Sequence, residues 1–153
     1  MIRQRGCHLG KTIVFGFDRY LVPELDEYLH YLSSAQRVAQ RVQGRLDHVG
    51  ILCCGTGMGM CIAANKFRGI YAARCITVED AADARAINNS NVLCIASRTG
   101  LELNRQIMSS FLETPFEGRK VEELAHIAEF ELEHPSAPPT DVRPILRLLR
   151  QTA

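Results

Sequence analysis

The segment Ile51 to Lys66, ILCCGTGMGMCIAANK, constrains this chain more than any other. A short apolar run breaks at three alternating glycines, Gly55, Gly57 and Gly59, and then resumes with helical spacing. That succession reads as strand, tight turn and helix, because glycines accept backbone angles closed to other residues and let successive N–H groups converge. A strand that delivers into a helix N-terminus through such a turn is an anion cradle, and Cys54 stands at its mouth. The pattern lacks the Gly-Lys-Ser/Thr ending of a Walker loop and the GxGxxG spacing of a dinucleotide turn, which disfavours a nucleotide. A carboxylate, a phosphate or an enediolate oxygen suits it better.

The rest of the chain repeats the strand-then-helix alternation. Thr12 to Phe17 reads as a first strand, ending at Asp18 and Arg19. From Pro23 to Gln43 apolar residues recur at three- and four-residue spacings, predicting an amphipathic helix, or two broken near Ser33 and Ser34, with Gly44 as the stop. Val49 to Cys54, Gly69 to Cys75 and Val92 to Ala96 read as further strands, and Met58 to Lys66, Val78 to Asn88 and Gly100 to Leu112 as the helices that follow them. Strands without polar alternation, each followed by a helix, indicate a parallel sheet covered on both faces. The expected architecture is a single doubly wound α/β domain over residues 1–134. Its last helix is Val121 to Glu133, and residues 135–153 form a proline-containing tail. In that tail Asp141 to Arg150 is read either as a short amphipathic helix docking on a neighbour or as a segment folded back on its own domain.

At 153 residues with a net charge of +1, one core suffices, and no overall field favours nucleic acid or a membrane surface. The apolar runs are far shorter than the roughly 20 residues of a membrane span, and Met1 to Lys11 is too polar for a signal peptide, so the expectation is a cytoplasmic protein. Six cysteines, Cys7, Cys53, Cys54, Cys61, Cys75 and Cys94, lack paired CxxC spacing. Reduced thiols are therefore expected, with neither a disulfide framework nor a zinc site.

In open α/β sheets ligands sit at the carboxyl ends of the strands, which singles out Asp18 and Arg19 after the first strand and the turn Cys54 to Gly59. Helix-terminal N–H groups favour the thiolate, so Cys54 is the candidate nucleophile or base. Cys53, Cys61, Cys75 and Cys94 read as core. His30, His48 and His126 read as surface or structural residues.

The stretches CGTGMGMCIAANKFRGIYAARC, NNSNVLCIASR and FLETPFEGR resemble the ribose-5-phosphate isomerase B and galactose-6-phosphate isomerase family, over Val38 to Arg119 together with Ile13 to Asp18. That resemblance implies a Rossmann-like, flavodoxin-like α/β sandwich and aldose–ketose isomerisation of a phosphorylated sugar through a cis-enediolate. It implies no metal or organic cofactor, and an active site at the interface of a homodimer or homotetramer. By the same resemblance Cys54 is the general base, with Thr56 beside it as the second catalytic residue. Gly55, Gly57 and Gly59 bind the enediolate, Asp18 contacts the sugar, and Asn88 belongs to a His-Asn element. Arg119 is one of the arginines that grip phosphate. The chain departs from the family pattern at Arg19, which replaces a histidine after Asp18, and at Ile87, where the ring-opening histidine is expected. Lys120 stands where a second arginine is expected, and the stretch between Asp18 and Val49 is short by one helix and one strand. Three readings follow: an isomerase whose substrate needs no enzymatic ring opening, one subunit of a two-protein isomerase with a paralogous partner, or a catalytically silent sugar-phosphate binder.

Overall fold

A computed structural model of the chain describes residues 31–133. The expected strand at Thr12 to Phe17, the candidates Asp18 and Arg19, His30 and the tail 135–153 lie outside the described residues. Helix α1 spans Tyr31–Val42, β1 Gly50–Cys54, α2 Met58–Ala64, β2 Ala72–Arg74, α3 Val78–Ala86, β3 Val92–Ala96, α4 Leu101–Glu113 and α5 Val121–Glu133. The described residues fall into two compact units divided between Val121 and Glu122, and α5 is the described part of the second. On α5, Ile127 and Phe130 are exposed, and His126 bonds Glu129 while meeting the Phe130 ring edge-on.

In the first unit the three described strands are parallel, in the order β1-β3-β2. Gly50 is level with Val92, and Cys54 with Ala96. Every residue of β3 is buried, and its side chains alternate between two clusters. Val92 and Cys94 join Leu52, Ala35, Ala39, Val42, Met60 and Ala64 under α1 and α2. Leu93 and Ile95 join Ala81, Ala84, Ile107 and Phe111 under α3 and α4. The expected doubly wound sandwich is thus formed by helices on both faces of a parallel sheet. Close approach of α1 to the sheet depends on Gly50, where a Cβ would lie 2.5 Å from a Val38 methyl carbon.

Of the two readings for the first helix, the unbroken one holds over Tyr31–Val42, with Ser34 buried on its core side. Several boundaries differ from the sequence reading. The ladder of β2 is only three residues long, against the seven expected from Gly69 to Cys75. Gly69 has a positive φ of 71°, and Ile70 is buried without joining the ladder. Helix α3 stops at Ala86 rather than Asn88, after which Asn89 enters the left-handed region at φ 47°. Its start is fixed by a capping box, in which Asp80 accepts from the Thr77 N–H and Thr77 Oγ1 accepts from the Asp80 N–H. A further N–H, from Ile76, is the main reason the Asp80 carboxyl sits below its ordinary range.

The outer edge of β2 is closed by a side chain. Asn65 donates from Nδ2 to the Ala72 carbonyl and accepts the Ala72 N–H at Oδ1, both at 2.8 Å, so its amide substitutes for a neighbouring strand. Asn65→Ala is expected to lower stability by about 1–2 kcal/mol, since two modest bonds to accessible backbone are lost. Urea unfolding checks this, and an unchanged midpoint would refute it.

Candidate functional site

Adjacent strands β1 and β3 send their following helices to opposite faces: α2 packs with α1, and α4 with α3. Between such strands a crevice opens at the carboxyl ends, the usual ligand position in open α/β sheets. Its β1 side is the turn from Cys54 to Gly57, and its β3 side is a short 3-10 turn, Ser97–Thr99. The β3 side is pinned by buried Asn104, which donates to the Ala96 carbonyl at 2.8 Å and accepts the Thr99 hydroxyl at 2.8 Å.

On the β1 side, Cys54 is half-buried and its Sγ accepts the Gly57 N–H at 3.1 Å. Gly57 is the N-cap of α2 at φ 73° and ψ −14°, and a Cβ there would lie 3.1 Å from the Ile95 carbonyl oxygen. Glycine is required at this position both by the left-handed backbone and by the approach to β3. Thr56 Oγ1 accepts from the Met58 N–H at 3.3 Å, which leaves its own proton to donate. At Gly55 a Cβ would meet nothing within 4 Å, so no protein contact demands glycine there. Gly59 lies against Tyr31, whose Cε2 and hydroxyl oxygen are 3.0 and 3.3 Å from where a Cβ would be.

The predicted site residues therefore divide. Cys54, Gly55, Thr56, Gly57 and Gly59 form one continuous turn at the carboxyl ends of the strands. Asn88 and Arg119 are at the other end of the sheet. Asn88 is exposed in the turn between α3 and β3, and the 117–119 segment is tied there by the Glu117 N–H donating to the Ala86 carbonyl at 3.0 Å. Arg119 itself pairs with Glu117 at 2.5 Å. With four residue steps from Gly50 to Cys54, the two ends are separated by about 13 Å of strand. One copy of the described fold does not bring them together. Ile87 is half-buried at the C-cap of α3, on the Asn88 side.

Three residues that sequence reasoning passed over stand at this end of the sheet: Tyr31 across Gly59, exposed Arg98 just past β3, and Arg74, whose Nε donates to the Thr56 carbonyl at 2.7 Å. Only Arg98 had a signal in the sequence, as a cation directly after a strand end.

The remaining thiols need one correction. Cys75 and Cys94 are buried, and burial pushes Cys75 up to about 12. Cys61 is half-buried and drawn down to about 7, chiefly by its hydrogen bond with Cys94, whose own thiol is correspondingly raised. Cys53 is exposed rather than core, because it faces away from Leu52 and the cluster under α3 and α4 takes in Ile51 but stops short of it. His48 is also at the surface, bonded to Asp47 at 2.8 Å. Among the described residues no helix is long and apolar enough to cross a membrane.

A profile of the ribose/galactose isomerase family matches residues 14–127. A probable ribose-5-phosphate isomerase B of Mycoplasma pneumoniae is 42% identical over 112 residues, covering 72% of this chain and 74% of that protein. A D-erythrulose-4-phosphate isomerase of Pectobacterium atrosepticum is 42% identical over 89 residues, covering 58% of this chain and 59% of that one. Among the curated relatives it matches, the chain spans as little as 29% of the length of one and 74% of another. In structure it is similar to the crystal structure of ribose-5-phosphate isomerase B from Mycoplasma genitalium with bound ribulose-5-phosphate. That similarity has a TM-score of 0.66 at 40% identity, covering 71% of this chain and 73% of that one.

Proposed function

The chain belongs to the ribose/galactose isomerase family, and on that premise we propose that it interconverts the aldose and ketose forms of a phosphorylated sugar, with Cys54 as the general base. The observation that carries this reading is the Cys54 to Gly59 turn. A half-buried thiol that accepts an N–H at 3.1 Å stands at the carboxyl end of its strand, beside the start of α2. Proton abstraction next to a carbonyl needs a base and fixed donors where negative charge develops. The thiolate removes the proton from the carbon beside the carbonyl, turn N–H groups and the Thr56 hydroxyl hold the enediolate oxygens while the hydroxyl proton passes from one oxygen to the other, and the same thiol returns the carbon-bound proton to the neighbouring carbon. Arg98 and, from the resemblance, Arg119 supply cations for the phosphate.

The separation of Cys54 from Asn88 and Arg119 supports a site completed between subunits of a homodimer or homotetramer, where the Asn88 end of one copy faces the turn of another. Ile87 narrows the substrate, because an isoleucine transfers no proton. A sugar phosphate that is already open-chain suits the site, as the four-carbon substrate named for the Pectobacterium relative would be. The same residue favours the second reading, a subunit that takes its ring-opening histidine from a paralogous partner.

Solvent-deuterium exchange at the carbon next to the carbonyl, followed by NMR over four-, five- and six-carbon sugar phosphates, tests this. A four-carbon ketose phosphate is expected to exchange about a hundredfold faster than ribose 5-phosphate, the scale of one missing acid–base group. Absence of exchange with every sugar, alone or mixed with a paralogous subunit, would end the isomerase reading and leave silent binding.

A further inference from the structure

The two hydrogen bonds of one peptide unit connect a distant arginine to the candidate base. Arg74, at the end of β2, sends its Nε across the carboxyl end of β3 to the Thr56 carbonyl at 2.7 Å. The N–H of that same Thr56–Gly57 peptide donates to Cys54 Sγ at 3.1 Å. A peptide is planar, so fixing its oxygen fixes the direction of its N–H. A guanidinium on the oxygen also draws electron density out of the amide and makes the N–H a stronger donor.

We infer that Arg74 is a positioning residue for Cys54, acting through the Thr56–Gly57 peptide to hold and stabilise the thiolate. Its importance for turnover rests on the isomerase reading, whereas its effect on the thiol does not. The register supports the geometry. Arg74 is level with Cys94, whose side chain lies under α1 and α2, so Arg74 emerges on the face of the sheet where α2 begins. Arg74 also lies within electrostatic reach of Cys61 on α2 and Asp80 on α3, and Cys54 within reach of Cys53 on its own strand and Cys94 on β3. Asp80 already takes the N–H groups of Ile76 and Thr77, and Cys61 bonds Cys94 and the Ala72 carbonyl. The bond to Thr56 is therefore the contact through which Arg74 reaches the turn.

The test follows alkylation of Cys54 by iodoacetamide across pH, quantified by peptide mapping on the full chain, for the parent, Arg74→Met and Arg74→Lys. Arg74→Met removes the charge and donor at similar length. Its alkylation profile is expected to move to higher pH, with a rate near neutrality about threefold lower, the scale of one weakened charge-assisted bond. Arg74→Lys, which keeps the charge without the planar donor, is expected to fall between. A purely structural tie between β2 and the turn would leave the profile in place, and superimposed profiles for folded Arg74→Met and the parent would overturn the inference. If Arg74→Met does not fold, Arg74→Lys decides: a shift to higher pH supports the inference and superposition refutes it. Alkylation needs no turnover, so failure here is distinct from failure of the isomerase reading.

Discussion

Replacing Cys54 with alanine is expected to lower exchange of the substrate proton with solvent by about a thousandfold, the usual contribution of a positioned general base. The fold should survive the change. Cys54 is only half-buried, and the bond it accepts comes from Gly57, whose turn is held independently by Arg74 and by Thr56 Oγ1 accepting the Met58 N–H. The loss should appear in the chemical step, with substrate binding little altered, because the turn N–H groups and the basic residues remain. Cys61 is the control, since among the described residues it is the other half-buried thiol and is drawn toward neutrality by Cys94. It faces the Ala72 carbonyl rather than the crevice, so Cys61→Ser should keep the exchange. If Cys54→Ala retains exchange within a few-fold of the parent while Cys61→Ser loses it, the base has been misassigned.

What the sequence made legible was the part of the fold written in short-range pattern. Val92 to Ala96 was readable as a strand because all five residues are apolar and a central strand is covered on both faces. The turn was readable because glycines at every second position, directly after an apolar run, suit neither a continuing strand nor a helix interior. The ends of β2 were not readable, because Ile70 is apolar for burial in the cluster under α1 and α2 rather than for pairing. The asparagine of AANK was visible as part of a resemblance, but that its amide closes the edge of β2 requires knowing which strand has a free edge. Arg74 was invisible for a related reason. Nothing local marks an arginine at position 74 as a partner of residue 56, and the two meet only because the strand order places β3 between their strands. The division of the site is the same kind of fact: Asn88 and Cys54 belong to motifs that look like parts of one site, and parallel register puts them at opposite ends of the sheet.

Gly57→Ala is expected to be the most damaging small substitution in the turn, costing about 2–4 kcal/mol of stability. The backbone there is at φ 73°, and a non-glycine residue in the left-handed region costs roughly 1–2 kcal/mol. The new Cβ would also sit 3.1 and 3.2 Å from the carbonyl oxygen and carbon of Ile95. Those atoms belong to the central strand and cannot swing aside as a flexible side chain would, so overpacking adds about another 1–2 kcal/mol. The functional loss should exceed the stability loss. The amide that bonds Cys54 is that of Gly57 itself, and any shift of the turn away from β3 misaims it. Gly55→Ala provides the contrast, since its Cβ would meet nothing within 4 Å and its φ is not positive, so its stability should stay within about 0.5 kcal/mol of the parent. Urea unfolding of the two variants beside the parent reads the difference. Equal midpoints for Gly57→Ala and Gly55→Ala would mean that the turn relaxes without cost, and the tight approach to Ile95 would lose its place as the feature that fixes the thiol.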